Sequence, residues 1–188
     1  EAYHNLRLSR ATAWVKSYKW PIYFIISVSF WNLVGAGLFG FLINPPIALY
    51  YMQGLNTTPL HGHAALFGVF GMLGIGLMLF VLKGLTIKYV WKTKILSFAF
   101  WSLNAGLMLM LLLSLLPVGV LQTIASIKFG MWYARSFEFM QDPTLQTLRW
   151  LRIVGDTVFA AGSVALAIFV IGLKTGWSID KTEKLYQD

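Results

Sequence analysis

The chain has 188 residues, 57% of them hydrophobic and 12% charged, with a mean hydropathy of +0.67. Soluble domains carry roughly 25% charged residues, so this composition excludes an ordinary water-soluble enzyme and predicts an all-α membrane protein. The formal net charge of +8 does not indicate nucleic acid, because Lys and Arg fall between the apolar runs, and the absence of cysteine excludes disulfides and thiolate metal sites within the chain.

The first nineteen residues carry Arg7, Arg10, Lys16 and Lys19 and lack the continuous apolar core of a signal peptide. The chain begins with Glu1 and reads as a piece of something longer. No repeat, low-complexity tract or linker divides it, so residues 1–188 are read as a single transmembrane segment of a larger domain.

Crossing the hydrocarbon core takes about 20 apolar residues, and four runs qualify: 20–43, 60–82, 95–116 and 154–173. The first opens with Trp20 and Tyr23, suited to the headgroup level. It continues through Phe30, Trp31 and Asn32 with Gly35, Gly37 and Gly40, a density of small residues that lets helices approach closely. Pro45 and Pro46 close it. The connection to the second run, residues 44–59, has no charged residue, whereas the next one carries Lys83, Lys88, Lys92 and Lys94. Because Lys and Arg collect on the cytoplasmic side, both termini and the 83–94 loop are expected there.

The second run is the most informative part of the chain. Thr57 or Thr58 is placed to cap the helix, Pro59 suits its first turn, and His61 and His63 follow one residue apart. Each helix residue turns about 100°, so the two imidazoles leave the helix roughly 200° apart and cannot share one metal. An ionisable or ligating side chain inside a bilayer marks a functional site, and imidazole is a common metal and haem ligand. The pattern therefore predicts two cofactors, one on each side of a single helix. Gly62, Ala64, Ala65, Gly68, Gly71 and Gly74 are expected to leave a shallow groove along one side for flat, bulky partners.

The third run is rich in Leu and Met, with Asn104 and Ser114 as polar positions, and Met108 and Met110 read as core filler. Pro117 is expected to end it. The outer connection, residues 117–153, holds Lys128, Trp132, Tyr133, Arg135, Glu138, Asp142, Arg149 and Arg152, and its amphipathic character predicts a short interfacial helix. Anionic cofactor groups would explain basic residues on that side. Arg135 is either solvated surface or, with its neighbours, a bidentate partner for carboxylates. Just inside the fourth run, Asp156 is either salt-bridged to Arg152 one turn earlier or engaged in proton or quinol handling.

Five blocks carry a family resemblance: residues 29–46 (SFWNLVGAGLFGFLINPP), 61–72 (HGHAALFGVFGM), 112–119 (LLSLLPVG), 132–136 (WYARS) and 148–157 (LRWLRIVGDT). Together they resemble the C-terminal part of quinol-dependent nitric oxide reductase, about its last quarter. The His-x-His pair alone is shared by the wider haem-copper oxidase superfamily. The resemblance implies four helices forming part of a larger haem-copper oxidase-type bundle in the bacterial cytoplasmic (inner) membrane. It implies His61 as proximal ligand of a high-spin haem b and His63 as one axial ligand of a low-spin haem b. Asp156 matches an acidic position near the family's quinol pocket, and the basic outer loop, Arg135 included, fits haem propionates.

The family reaction joins two nitric oxide molecules into nitrous oxide and water, using two electrons from quinol and two protons. Its non-haem iron takes three histidines and a glutamate, and its low-spin haem takes a second histidine. Only His4 remains in this chain, in the basic inner segment and on the wrong side. The resemblance thus requires a partner, the remainder of the reductase in the same polypeptide or another chain, and leaves homodimer formation open. Three other readings stay in play: an oxygen-reducing oxidase, a nitric oxide dismutase, and a non-catalytic four-helix membrane subunit whose histidines only bond neighbouring helices.

Overall fold

A computed structural model describes residues 13–184; His4, Arg7 and Arg10 lie outside the described residues. Hydrocarbon offers no partner to a backbone N–H or C=O, so the apolar runs must satisfy these groups internally as helices. After a short turn, α1 (Ala13–Ser17), come α2 (Lys19–Ile43), α3 (Pro46–Met52), α4 (Thr57–Leu85), β1 (Tyr89–Trp91), α5 (Lys94–Phe129), α6 (Phe137–Met140), α7 (Pro143–Trp150), α8 (Arg152–Thr175) and β2 (Ile179–Lys184). Helices α2, α4, α5 and α8 are long and apolar enough to cross a membrane, as the four runs predicted. Within three of them the winding widens to a π-helix, at Asn32–Phe39, Ala64–Gly71 and Leu111–Leu115.

Where the helices end departs from expectation. Pro117 does not close the third span, which runs on to Phe129. Proline normally breaks a helix because it lacks an N–H and its ring collides with the carbonyl four residues back. Here it follows the π stretch Leu111–Leu115, whose five-residue hydrogen-bond pattern takes the preceding turn out of the conflicting register. The span stops instead at Gly130, whose φ of 91° suits a residue without Cβ. The outer connection therefore starts at residue 130, not at 117. It contains a 3-10 turn, Tyr133–Arg135, and two short helices, α6 and α7. The Ser136 hydroxyl caps α6 by accepting from Phe139 N, and the Asp142 carboxylate caps α7 by accepting from Thr144 N and Leu145 N.

Two helix pairs make up the bundle. Helices α5 and α8 form the most extensive contact, and a Cβ on Gly106 would lie 2.5 Å from Phe159 N, while one on Gly162 would lie 2.9 Å from Leu103 N. Helices α2 and α4 meet in the same way, with Gly35 against Ala64 and Gly76 against Phe24 and Ile25. Small residues at these crossings give the close backbone approach that apolar association in lipid needs. Trp31 joins the pairs. Its ring covers Gly68 of α4, its Nε1 donates to Asn104 Oδ1 of α5 at 2.9 Å, and it is 1% exposed. Nearby, Phe24 and Phe100 meet edge to face at 5.0 Å between ring centroids.

At the end of the bundle away from the histidines, a two-stranded antiparallel pair, β1 with β2, closes the helices. The all-α expectation describes the membrane-spanning part; this pair lay outside it. It also corrects the reading of Lys83 as a loop charge. Lys83 lies inside α4, is buried, donates from Nζ to Tyr89 O at 2.7 Å and sits 5.3 Å from the Trp91 ring centroid. The carbonyl and the indole face satisfy its ammonium.

Trp31→Ala is expected to destabilise the assembled protein by about 3–5 kcal/mol, the usual cost of emptying a large buried aromatic site. Trp31→Phe, which mainly removes the Asn104 bond, should cost about 1 kcal/mol. Denaturant unfolding in detergent measures both; equal losses would show that the indole hydrogen bond, not the filled volume, dominates.

Candidate metal-ligating site

The His-bearing helix α4 is held at its start by a residue that sequence reasoning passed over. Neither threonine caps it: Thr57 Oγ1 donates to Met52 O and Thr58 Oγ1 accepts from Gly54 N, both at 3.3 Å. Gln122 of α5 does this work from outside. Its buried Oε1 accepts from both Asn56 N and Asn56 Nδ2 at 2.8 Å, and its Nε2 donates to Ala134 O. One side-chain amide thus ties the start of α4 to α5 and to the turn after Gly130. A glutamine in an apolar run is the only signal for it in the sequence.

One turn inside, both imidazoles are half-buried and both are oriented by backbone carbonyls. His61 Nδ1 lies 2.8 Å from Gly35 O on α2, and His63 Nδ1 lies 2.8 Å from Pro59 O one turn earlier on its own helix. A carbonyl can only accept. Each Nδ1 therefore carries the proton, and each Nε2 is left with a lone pair. The same tautomer follows independently for His63, whose Nε2 lies 3.0 Å from Arg152 Nη2, a guanidinium nitrogen that can only donate.

The two rings meet different neighbours, His61 on α2 and His63 on α8, in keeping with the 200° separation. The glycine groove does not run along one side as expected. Trp31 covers Gly68 and Ala64 faces Gly35, while Gly62 and Gly74 have open space where a Cβ would stand. A three-residue spacing drifts by about 60° per step on a helix, so the glycines spiral around α4 and only some remain accessible.

Arg152 links the histidine to the acidic position. Its Nε lies 3.2 Å from Asp156 Oδ2 and 3.3 Å from Oδ1, an i,i+4 pair with side chains 37% and 47% exposed. The salt bridge weighed from sequence is therefore present, and it leads on to His63. Beside it opens a cleft of about 440 Å³ whose lining includes Asn56, Ser114, Gln146, Arg149, Trp150 and Asp156. Arg135 is not among its lining residues. Its guanidinium donates to Gln53 O and packs on Gly54, tying two connections together.

Among the described residues no three His, Cys, Asp or Glu side chains converge on a metal position. Two separate imidazoles, each with Nδ1 held by a carbonyl, instead suit metals whose other ligands come from a macrocycle or from other residues and that bind through Nε2. Fixing the second ring nitrogen in this way sets tautomer and ring plane and raises ligand basicity. The donor set therefore fits axial ligation of two haems. In a comparison with protein families, the model described as Cytochrome C and Quinol oxidase polypeptide I matches residues 8–158.

Because an exposed i,i+4 ion pair contributes only about 0.3–0.5 kcal/mol, Asp156→Asn is expected to leave the unfolding free energy unchanged within about 0.5 kcal/mol. A loss several times larger in thermal or denaturant unfolding would mean that the carboxylate serves the fold.

Proposed function

The chain belongs to the cytochrome c and quinol oxidase polypeptide I family, the haem-copper oxidase subunit I family of multi-pass membrane proteins, and on that premise we propose that it is the haem-ligating part of a quinol-dependent nitric oxide reductase. The observation that carries this reading is the pair of imidazoles one residue apart, each with Nδ1 on a carbonyl, His61 meeting α2 and His63 meeting Arg152 of α8 through Nε2. The five sequence blocks that resemble the reductase favour that branch of the family over the others.

In this reading His61 holds a high-spin haem b and His63 a low-spin haem b. The haems supply one-electron redox chemistry at iron; the chain supplies ligand identity, spacing and charge. Both ligands stand on one helix anchored by Gln122, so the distance between the two centres cannot drift. Arg152 donates to the same Nε2 lone pair that His63 would offer to a haem iron, so a ligating His63 would leave the guanidinium available to another acceptor. Arg152 and Arg149, together with Arg135, suit haem carboxylates through charge-assisted hydrogen bonds. A cleft of about 440 Å³ falls within the roughly 300–1,000 Å³ of small-molecule sites, with Trp150 as an apolar wall and Asp156 able to accept a proton. It is the proposed place for quinol oxidation.

The rest of the catalyst, including the ligands of the non-haem iron, comes from other residues of a longer polypeptide or from a second chain. The complete reaction takes two nitric oxide molecules, two electrons and two protons to nitrous oxide and water. The Lys and Arg distribution supports both ends of this segment lying on the cytoplasmic side, and the resemblance to the reductase supports a bacterial cytoplasmic membrane.

The test compares reduced-minus-oxidised spectra of the purified parent assembly with those of His61→Ala and His63→Ala. Each variant should lose a different b-type haem, and quinol-driven nitric oxide consumption should fall to background in both. Survival of the low-spin signal in His63→Ala would overturn the ligand assignment. Oxygen uptake without nitrous oxide formation by the native assembly would place it among the oxidases. Asp156→Asn should raise the quinol KM while preserving both haem spectra.

A further inference from the structure

His61 is clasped from α2 by two glycines. Its Nδ1 donates to Gly35 O at 2.8 Å, and a Cβ built on Gly40 would stand 3.0 Å from its Cε1 and 3.4 Å from its Nδ1. The imidazole edge thus lies against the bare Cα of Gly40 while its proton is held by Gly35.

These glycines are five residues apart. On an α-helix that separation turns about 500°, leaving them about 140° apart and on different faces. Residues Asn32–Phe39, up to the position before Gly40, are π-wound, and the wider turn of an i→i+5 pattern narrows that angle. One ring meets both positions. Close helix packing alone explains Gly35, whose Cβ would also meet that of Ala64 at 2.5 Å, but not Gly40, for which His61 supplies each of the nearest atoms.

We propose that the π turn of α2 is a positioning device for His61, with Gly35 and Gly40 as its positioning residues. The Gly35 carbonyl holds the proton on Nδ1 and makes Nε2 a stronger donor. Gly40 sets how far the ring rotates about its Cβ–Cγ bond. Five-residue winding is frequent at functional sites, and here it has a specific product: the plane and basicity of one ligand. The inference rests on the reading of His61 as an iron ligand.

The experiment compares the native parent assembly, Gly40→Ala and Gly84→Ala, the last a control in the final turn of α4, where a new Cβ would stand in ordinary contact 3.6 Å from Tyr18 Oη. Resonance Raman of the reduced high-spin haem reads the iron–histidine stretch, redox titration reads its midpoint potential, and optical difference spectra report the low-spin haem. Gly40→Ala should shift the stretch and the potential, or selectively lose the high-spin haem, with the low-spin haem unchanged; Gly84→Ala should change none of them. A Gly40→Ala protein with the native stretch and potential overturns the device, as does one that loses both haems together, which would mark Gly40 as a packing residue. A native assembly whose high-spin haem is absent, or is unaffected by His61→Ala, overturns the ligand reading itself and this inference with it.

Discussion

The Trp31 indole is the contact on which the arrangement of the bundle depends. Lipid tails are as apolar as leucine, so burying Trp31 in lipid would gain nothing that a helix contact must exceed. What lipid cannot provide is an acceptor for Nε1 and a flat recess for the ring. Asn104 on α5 and Gly68 on α4 provide these, and in doing so they join the α2–α4 pair to the α5–α8 pair. About one turn further along, α2 presents Gly35 to His61, and about another turn beyond that it presents Gly40. A shift of α2 that broke the Trp31 contact would also move the carbonyl that orients a candidate ligand.

Scarcity of hydrogen-bond partners in hydrocarbon also shapes the site. A buried imidazole has two nitrogens to satisfy, and the bundle satisfies one in each histidine with a backbone carbonyl, the acceptor that a helix has available without further side chains. This leaves Nε2 as the reactive nitrogen in both cases. For His63 that nitrogen meets Arg152, and Arg152 meets Asp156. The chain of contacts runs from a candidate ligand to the wall of a cleft, so events in the cleft and at His63 share a guanidinium.

Some of this was legible from residues alone. The four apolar runs, the closure of the first by Pro45 and Pro46, the packing role of Met110 and the different directions of His61 and His63 all follow from local rules: hydrophobic length, proline geometry and helical pitch. The failures have a common cause as well. Pro117 reads as a terminator only if the preceding turn is α-helical, and the π stretch before it is not. The glycine groove was drawn by spacing, but Trp31 arrives from another helix to fill part of it. Lys83 looks like a loop charge until the β pair, formed by segments some ninety residues apart, folds over it.

By itself the sequence determined the membrane class, the helices, and two imidazoles aimed at opposite sides of one of them, because hydropathy and a 100° turn act within a few neighbouring residues. Only the tertiary structure decided what each imidazole meets: Gly35 and Gly40 for His61, Arg152 for His63, with Gln122 holding the helix that carries both. Those partners lie from about twenty to ninety positions away in the chain. They come together only when the helices pack, and the turn between those two glycines has a winding that the residue types do not reveal.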